Sequence, residues 1–302
     1  MPTSIVLPYI NPDLISVEIG GLTLAIRWYA LSYIIGFLLG WRWFVHFMKR
    51  PNLWPNDKPP LTPAQPEQLL TWIIIGVIIG GRLGYVIFYN FGYFLDNPIE
   101  IFKIWSGGMS FHGAFVGLIL ATILFCKKTN SPLGSVSDTI SITVTPGLFL
   151  GRIANFINME LFGRPTNVSW GVIFPEGPAA ICPETWVGTC SRYPSQLYEA
   201  LLEGFLLCLV LSYLVYRKGY FKVPWRTSGL FFAGYGLARV FVEFFREPDP
   251  QFVSNGNPLG FIVQFSDWGG ITMGQLLSVP MVIVGLGLIF FTHKGNHASL
   301  KK

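Results

Sequence analysis

The sequence predicts an all-α fold: a polytopic helical bundle in a membrane, with seven transmembrane helices. Three observations carry that prediction. Only 12% of the 302 residues are charged, about half the share in a soluble domain. The mean hydropathy is +0.49 and 16% of the chain is aromatic, so there is ample apolar surface to bury and disorder is excluded. The runs 104–126 and 268–292 contain no Asp, Glu, Lys or Arg, and each exceeds the roughly 20 residues needed to cross about 30 Å of hydrocarbon.

In chain order the predicted spans are 22–48, 69–90, 104–126, 136–156, 196–216, 228–245 and 268–292. Five of them are broken by one or two charges but keep the length and apolarity of a span. Nothing reads as the alternating ten-residue strands of a barrel, and open backbone cannot face lipid. The chain is therefore read as a single transmembrane domain, residues 1–302, with one long outer loop at 157–195.

Charge between the spans sets the orientation. Lys49, Arg50, Lys58, Lys127, Lys128, Arg217, Lys218, Lys222, Arg226, Lys294, Lys301 and Lys302 gather on one side, against Lys103, Arg164, Arg192 and Arg246 on the other. The positive-inside rule then puts the N-terminus outside and the C-terminus in the cytoplasm. No Lys or Arg precedes residue 20 and no short apolar core with a cleavage site is visible, so no removable signal peptide is expected. The formal charge of +5 is scattered in twos and threes, which suits membrane orientation and argues against nucleic acid as a partner.

Five cations fall inside predicted spans: Arg27, Arg42, Arg82, Arg152 and Arg239. Each costs about 2.5–3.5 kcal/mol at mid-bilayer, so each needs a reason. Arg42 lies near the cytoplasmic end of its helix and can snorkel. The other four sit toward the non-cytoplasmic leaflet, where GGMSFHGA, GRIANFINMELFG, YPSQLYE and FFREPD also place their polar residues. One reading is a layer of interhelical hydrogen bonds. The sharper one is a cavity lined with guanidinium groups that recognises an anionic lipid headgroup.

Within that layer Tyr235, Arg239, Glu243 and Arg246 follow one another at spacings of four, four and three, a single helical stripe in which Arg239 and Glu243 can pair. Arg82, Tyr85 and Tyr89 form a second stripe. Arg152, Asn155 and Asn158 share a face, followed by Glu160 and Gly163, and offer many donors to phosphate or glycerol oxygens. His112, flanked by Gly107, Gly108 and Gly113, is a candidate general base.

There is no HExxH, GxSxG, phosphate-binding P-loop or paired CxxC, so neither a metal nor another cofactor is expected. Of four cysteines, Cys126 and Cys208 fall in spans, and Cys182 and Cys190 share the outer loop, where a disulfide is permitted. None joins the polar layer. A thiol used in the chemistry would come from the substrate.

These strings resemble the bacterial prolipoprotein diacylglyceryl transferase family over residues 28–275. GRIANFINMELFG at 151–163 is the most specific match. It is supported by RWYALSY from Arg27, GGRLGYVIFYN from Gly80, GGMSFHGA from Gly107, YPSQLYE from Tyr193, RVFVEFFREPD from Arg239 and MGQ from Met273. Departures at Arg27 and Ala114 lie outside the charged core.

The resemblance implies transfer of the diacylglyceryl group of phosphatidylglycerol to the lipobox cysteine of a preprolipoprotein signal peptide, with release of glycerol 1-phosphate. It places the reaction on the outer face of the bacterial cytoplasmic (inner) membrane, among membrane lipids. Arg152 and Arg239 are then expected to hold the phosphate, with Glu243 orienting Arg239. Tyr29, Asn155, Glu160, Gly163 and Tyr235 are expected to line the headgroup site, and Arg82, Asn158 and Arg246 to bind substrate beside them. His112, Glu160 or Glu243 would take the thiol proton. The loop 166–192 is expected to receive the peptide.

The competing class is a transporter or flippase for an anionic lipid or solute, which would also use intramembrane arginines. Against it, the polar layer is one-sided, the halves show no inverted repeat, and no span reads as broken at mid-membrane.

Overall fold

The computed structural model describes residues 4–20, 22–183, 186–254, 256–266 and 269–299. The tail cations Lys301 and Lys302 and the predicted start of the last span at Trp268 lie outside them. The chain divides into two compact units, residues 1–40 with 141–302, and residues 41–140. Helices dominate: among the described residues six are long and apolar enough to cross a membrane. The remaining predicted span, 228–245, the sixth in chain order, is a helix of 17 residues, Arg226–Val242.

Strands β1 (Ile5–Val6), β2 (Asp13–Ile19) and β3 (Leu22–Arg27) precede helix α1 (Trp28–Met48). The first span therefore starts six residues later than predicted, because 22–27 pairs with β2 in an antiparallel hairpin. Arg27 consequently leaves the membrane-spanning set. Its Nε lies 3.2 Å from Asp13 Oδ1 at the foot of the hairpin, and its side chain is 70% exposed.

The second unit is built on α2 (Gln65–Tyr89), the short α3 (Phe91–Asp96) and α4 (Phe111–Thr129). Helices α2 and α4 approach until backbones touch: a Cβ on Gly117 would stand 2.0 Å from the Gly76 carbonyl oxygen, and one on Gly80 2.4 Å from that of Gly113. Small residues at fourfold spacing are how helices associate where lipid supplies no hydrophobic drive. Helix α4 starts at Phe111, later than the predicted 104. Gly107 and Gly108 adopt positive φ, and Ser110 then caps the helix by accepting the Gly113 N–H at 3.2 Å. It ends on Asn130 in the left-handed conformation, with Lys127 and Lys128 in the last turn, the charge its dipole favours there.

The fourth span is two helices, α5 (Leu133–Thr143) and α6 (Thr145–Ile157). Val144 between them keeps α-helical backbone angles, so the span Leu133–Ile157 continues through the joint. Pro146 has no N–H for the Ile142 carbonyl, and the Thr145 hydroxyl takes that acceptor instead, at 2.7 Å.

In the first unit, strand β4 (Val172–Ile173) pairs in parallel with β1, Ile5 opposite Val172. Beneath it Met159, Val172, Phe174 and Ala179 form a small buried cluster with Leu7, Phe156 and Phe162. Cys182 and Cys190 are joined in a disulfide in the same outer segment.

Helix α7 (Ser195–Glu199) runs into a π-helical stretch, Ala200–Leu206, and on into α8 (Leu207–Lys218). After α9 (Arg226–Val242) comes the antiparallel hairpin β5 (Phe261–Ser266) and β6 (Gly269–Thr272), and then α10 (Met273–Ser299). Glycines again close the packing: a Cβ on Gly285 would meet the Ala233 nitrogen at 2.4 Å.

Candidate active site

Helices α6, α7 and α9 of the first unit bring together a chain of alternating charges. Arg152 on α6 reaches Glu199 Oε2 at 3.0 Å and Glu203 Oε2 at 3.4 Å. Arg239 on α9 reaches the other oxygen of the same carboxylate, Glu199 Oε1, at 3.0 Å, and Glu243 Oε2 at 2.9 Å. Arg246 continues the series, with Nη1 3.9 Å from Glu243 Oε2. Three guanidiniums thus alternate with three carboxylates and the formal charges cancel. In a low-dielectric setting that cancellation offsets the burial of each group, since an unpaired charge there costs several kcal/mol.

Each member has a local reason for its place. Residues 199 and 203 are one helical turn apart, so their carboxylates leave the same face. Gly204 lies against Phe149, where a Cβ would be 2.6 Å from the backbone, which seats the π-helical stretch on α6. The predicted Arg239–Glu243 pair forms across the end of α9. Thr272 at the end of β6 donates its hydroxyl to Glu243 Oε1 at 3.1 Å, and Gly274 leaves the space this carboxylate fills, since a Cβ there would sit 2.5 Å from it. The Tyr235 phenol interacts with both Arg152 and Glu203.

Residues 158–163 form a tight bend after α6. Met159 and Leu161 adopt positive φ, 54° and 53°, on either side of Glu160. Bulky residues enter that region at a cost and do so most often at functional sites. The bend is held from outside: Asn155 Nδ2 donates to Glu160 Oε1 at 2.8 Å, Gln196 Nε2 to the Glu160 carbonyl at 2.8 Å, and Ser195 Oγ to the Leu161 carbonyl at 3.2 Å. Gly163 lies under the Tyr193 and Phe245 carbonyls, where a Cβ would come within 2.2 Å of an oxygen. Asn158 keeps a buried Oδ1 with no donor among the described residues. At the start of α1 the Tyr29 and Tyr33 hydroxyls are 3.2 Å apart.

Outside the spans, Arg192 is almost fully buried. It donates to the carbonyls of Ala179, Gly163 and Ile181, lies 3.2 Å from Glu247 Oε2 and stacks over the Phe162 ring. Burial pushes the Glu247 carboxyl above its ordinary value, against the pull of Arg192 and Arg164.

Of the expected site residues, Arg152, Tyr235, Arg239, Glu243 and Arg246 meet in the charge chain, and Asn155, Asn158, Glu160 and Gly163 share the bend beside α6. Two belong to the second unit. His112 is exposed in the first turn of α4 with its ring edge-on to Phe111. Arg82 is buried with its fork committed: Nε donates to the Ile101 carbonyl at 2.8 Å, Nη1 to those of Gly107 and Gly108, and Nη2 to that of Glu100 at 2.6 Å. It fastens the loop ahead of His112.

Sequence reasoning missed Glu203 altogether and passed over Glu199 inside the YPSQLYE string. The signal was there: two acidic residues four apart in one span require cations, and two intramembrane arginines require anions. Among the described residues no group of three or more His, Cys, Asp or Glu is arranged to hold a metal ion.

The family model described as prolipoprotein diacylglyceryl transferase matches residues 15–291. A phosphatidylglycerol–prolipoprotein diacylglyceryl transferase of Roseobacter denitrificans is 51% identical over 96% of this chain and 98% of its own. One of Cereibacter sphaeroides is 54% identical over 93% and 96%, and one of Nitrobacter winogradskyi 45% identical over 95% and 91%. Similarity over nearly the full length of the chain leads to one conclusion: the chain belongs to the prolipoprotein diacylglyceryl transferase family.

Proposed function

We propose that this chain transfers the diacylglyceryl group of phosphatidylglycerol to the lipobox cysteine of prolipoproteins and releases glycerol 1-phosphate. The observation that carries the reading is the pair of guanidiniums, Arg152 and Arg239, drawn onto one buried carboxylate within helices apolar enough for a membrane. The relatives' names supply donor and acceptor.

In the reaction the thiol sulfur forms a bond to the terminal glycerol carbon as that carbon's bond to the phosphate oxygen breaks. The electron pair leaves on the phosphate and the thiol proton passes to a base. Charge therefore grows on the phosphate in the transition state, and planar guanidinium forks stabilise it there. Arg152 and Arg239 hold the phosphate, and Glu243 orients Arg239. Tyr29, Tyr235, Asn155, Gly163 and Arg246 line the headgroup site, with the unsatisfied Asn158 Oδ1 accepting from a glycerol hydroxyl. His112 and Glu160, both exposed, are suited to take the thiol proton, whereas Glu243 is engaged by Arg239 and Thr272. Gln variants of His112 and Glu160 decide between them by which one removes the acidic limb of the pH profile.

Membrane placement follows the charge pattern. The helix Arg226–Val242 serves as the sixth of seven spans, the N-terminus is outside, the C-terminus is cytoplasmic, and the site faces the outer leaflet of the inner membrane, where the loop 166–192 receives the signal peptide. Reporters that fold only in the cytoplasm should work at the C-terminal end and fail after Phe162. The reverse pattern moves the site to the wrong leaflet.

The function is tested with purified protein, phosphatidylglycerol vesicles and a lipobox peptide, by weighing the peptide. A gain of one diacylglyceryl mass, unaffected by strong chelation, supports the proposal. Unchanged peptide mass with labelled phosphatidylglycerol crossing the bilayer supports a transporter.

A further inference from the structure

We propose that Glu199 is a positioning residue. By bridging Arg152 and Arg239 it fixes the distance and relative tilt of the two guanidiniums that receive the phosphate, a role that rests on the assignment of those arginines given above.

The geometry is specific to this carboxylate. Each Glu199 oxygen serves a different arginine, Oε2 toward Arg152 and Oε1 toward Arg239, both at 3.0 Å, and the side chain is 0% exposed. Glu203 pairs with Arg152, and Glu243 with Arg239 and Arg246; Glu199 alone joins Arg152 to Arg239 among the described residues. Two guanidiniums repel each other, and without an anion between them nothing holds their forks on one target.

The bridge itself is anchored at both ends. Ser195 and Gln196, in the same short helix, bond the carbonyls of Leu161 and Glu160, and the backbone after Glu199 enters a π-helical turn, a distortion found mostly at functional sites. Nothing in the charge balance requires this placement, because a carboxylate elsewhere would neutralise the cluster equally well.

The test compares Glu199→Gln with Glu199→Asp in the transfer assay. The amide is isosteric but offers an N–H₂ where one arginine needs an acceptor, so one fork is released. Each guanidinium keeps another carboxylate, Glu203 or Glu243, so the variant should purify normally. It also carries one net positive charge in the cluster. Ground-state attraction for the anionic lipid should therefore persist while alignment is lost.

The expected signature in Glu199→Gln is a KM for phosphatidylglycerol no higher than wild type with kcat reduced roughly 10- to 100-fold. Glu199→Asp keeps both acceptors and should be the more active of the two. A residue that served folding alone would lower yield and melting temperature while leaving kcat per folded molecule unchanged.

Glu199→Gln with kcat within about twofold of wild type overturns the proposal, as does a KM increase at unchanged kcat, or Glu199→Gln outperforming Glu199→Asp. If Glu199→Gln does not fold, Glu199→Asp decides: a lowered kcat at unchanged KM supports the bridge, and wild-type kcat overturns it. Failure of the wild-type protein to modify the peptide is a separate outcome, and it removes the assigned function.

Discussion

Arg82 and Arg152 are both guanidiniums inside apolar helices, and they are compensated in opposite ways. Arg82, in the second unit, meets four main-chain carbonyls between Glu100 and Gly108. Arg152, in the first, meets two carboxylates, Glu199 and Glu203. Carbonyls belong to the backbone they come from, so spending a fork on them fixes a loop and leaves the charge nothing else to do. Carboxylates are side-chain anions, and a phosphate offers a guanidinium the same bidentate geometry. An arginine held by carboxylates is therefore held in readiness for an anion. On the proposed function, the partner, more than the burial, is what separates these two arginines.

The largest effect is expected from removing the carbonyl-bound fork. Arg82→Met should unfasten residues 98–108 and cost at least about 3 kcal/mol, since hydrogen bonds to a charged group are worth about 1.5–3 kcal/mol each and losses within one network are not additive. Lower yield and faster tryptic cleavage at Lys103 are the readouts. Arg82→Lys should not rescue, because one ammonium cannot span carbonyls from Glu100 to Gly108. If Arg82→Met instead purifies normally and loses only transfer, the comparison collapses and Arg82 touches substrate.

Replacing Arg152 by Lys comes next. The positive charge stays between Glu199 and Glu203, so the helices should assemble. The planar fork is lost, and with it about 1.5–3 kcal/mol of transition-state binding, or roughly 10- to 150-fold in kcat/KM. Arg42→Lys, at an exposed position, is the matched control and should stay within about twofold. Transfer within twofold in Arg152→Lys would mean that bidentate binding is not used there.

How much of this was legible in the sequence differs between the two regions. Arg239 and Glu243 were readable as a pair because both lie on one helix at a spacing of four. Arg152 was recognisable as an intramembrane cation in need of partners, but the partners were not, because Glu199 and Glu203 come from another helix, and a period within one helix says nothing about which helix faces it. The partners of Arg82 were hidden for a related reason: its acceptors are carbonyls of a loop, and carbonyls leave no mark in a sequence. The six residues 22–27 were absorbed into the first span because an apolar strand and a buried helix end look alike in so short a run. The joint at Val144 was in principle visible in Pro146.

Packing gives a further, smaller contrast. Gly117 on α4 and Gly151 on α6 are both helical glycines in the membrane. A Cβ on Gly117 would stand 2.0 Å from the Gly76 carbonyl oxygen, whereas one on Gly151 would meet nothing within 4 Å. Gly117→Ala should therefore cost about 1–3 kcal/mol through overpacking, and Gly151→Ala should be neutral or slightly stabilising from helix propensity. Melting temperatures in detergent order the two. Equal behaviour would show that α2 and α4 separate at little cost.

The smallest effect concerns Arg192, which combines both kinds of partner: three carbonyls and the Glu247 carboxylate. If carbonyls make an arginine structural, its carboxylate should be dispensable. Burial raises the Glu247 carboxyl despite Arg192 and Arg164 nearby, so the folded protein binds that proton more tightly than the unfolded chain does. The stability this gives is complete below the unfolded value of 4.5 and is lost as pH rises through the folded value. Glu247→Gln removes the titration. Relative to wild type, the variant should therefore gain stability as pH rises from 4.5 into the neutral range. Glu247 is partly exposed and water screens the pair, so the change should stay below about 1 kcal/mol, a shift of no more than about 3 °C in Tm. Melting curves of both proteins at four or five pH values read the slope directly. A variant that loses stability relative to wild type as pH rises would mean that the Arg192–Glu247 pair outweighs the burial of its carboxylate, and that this arginine depends on its anion as Arg152 does.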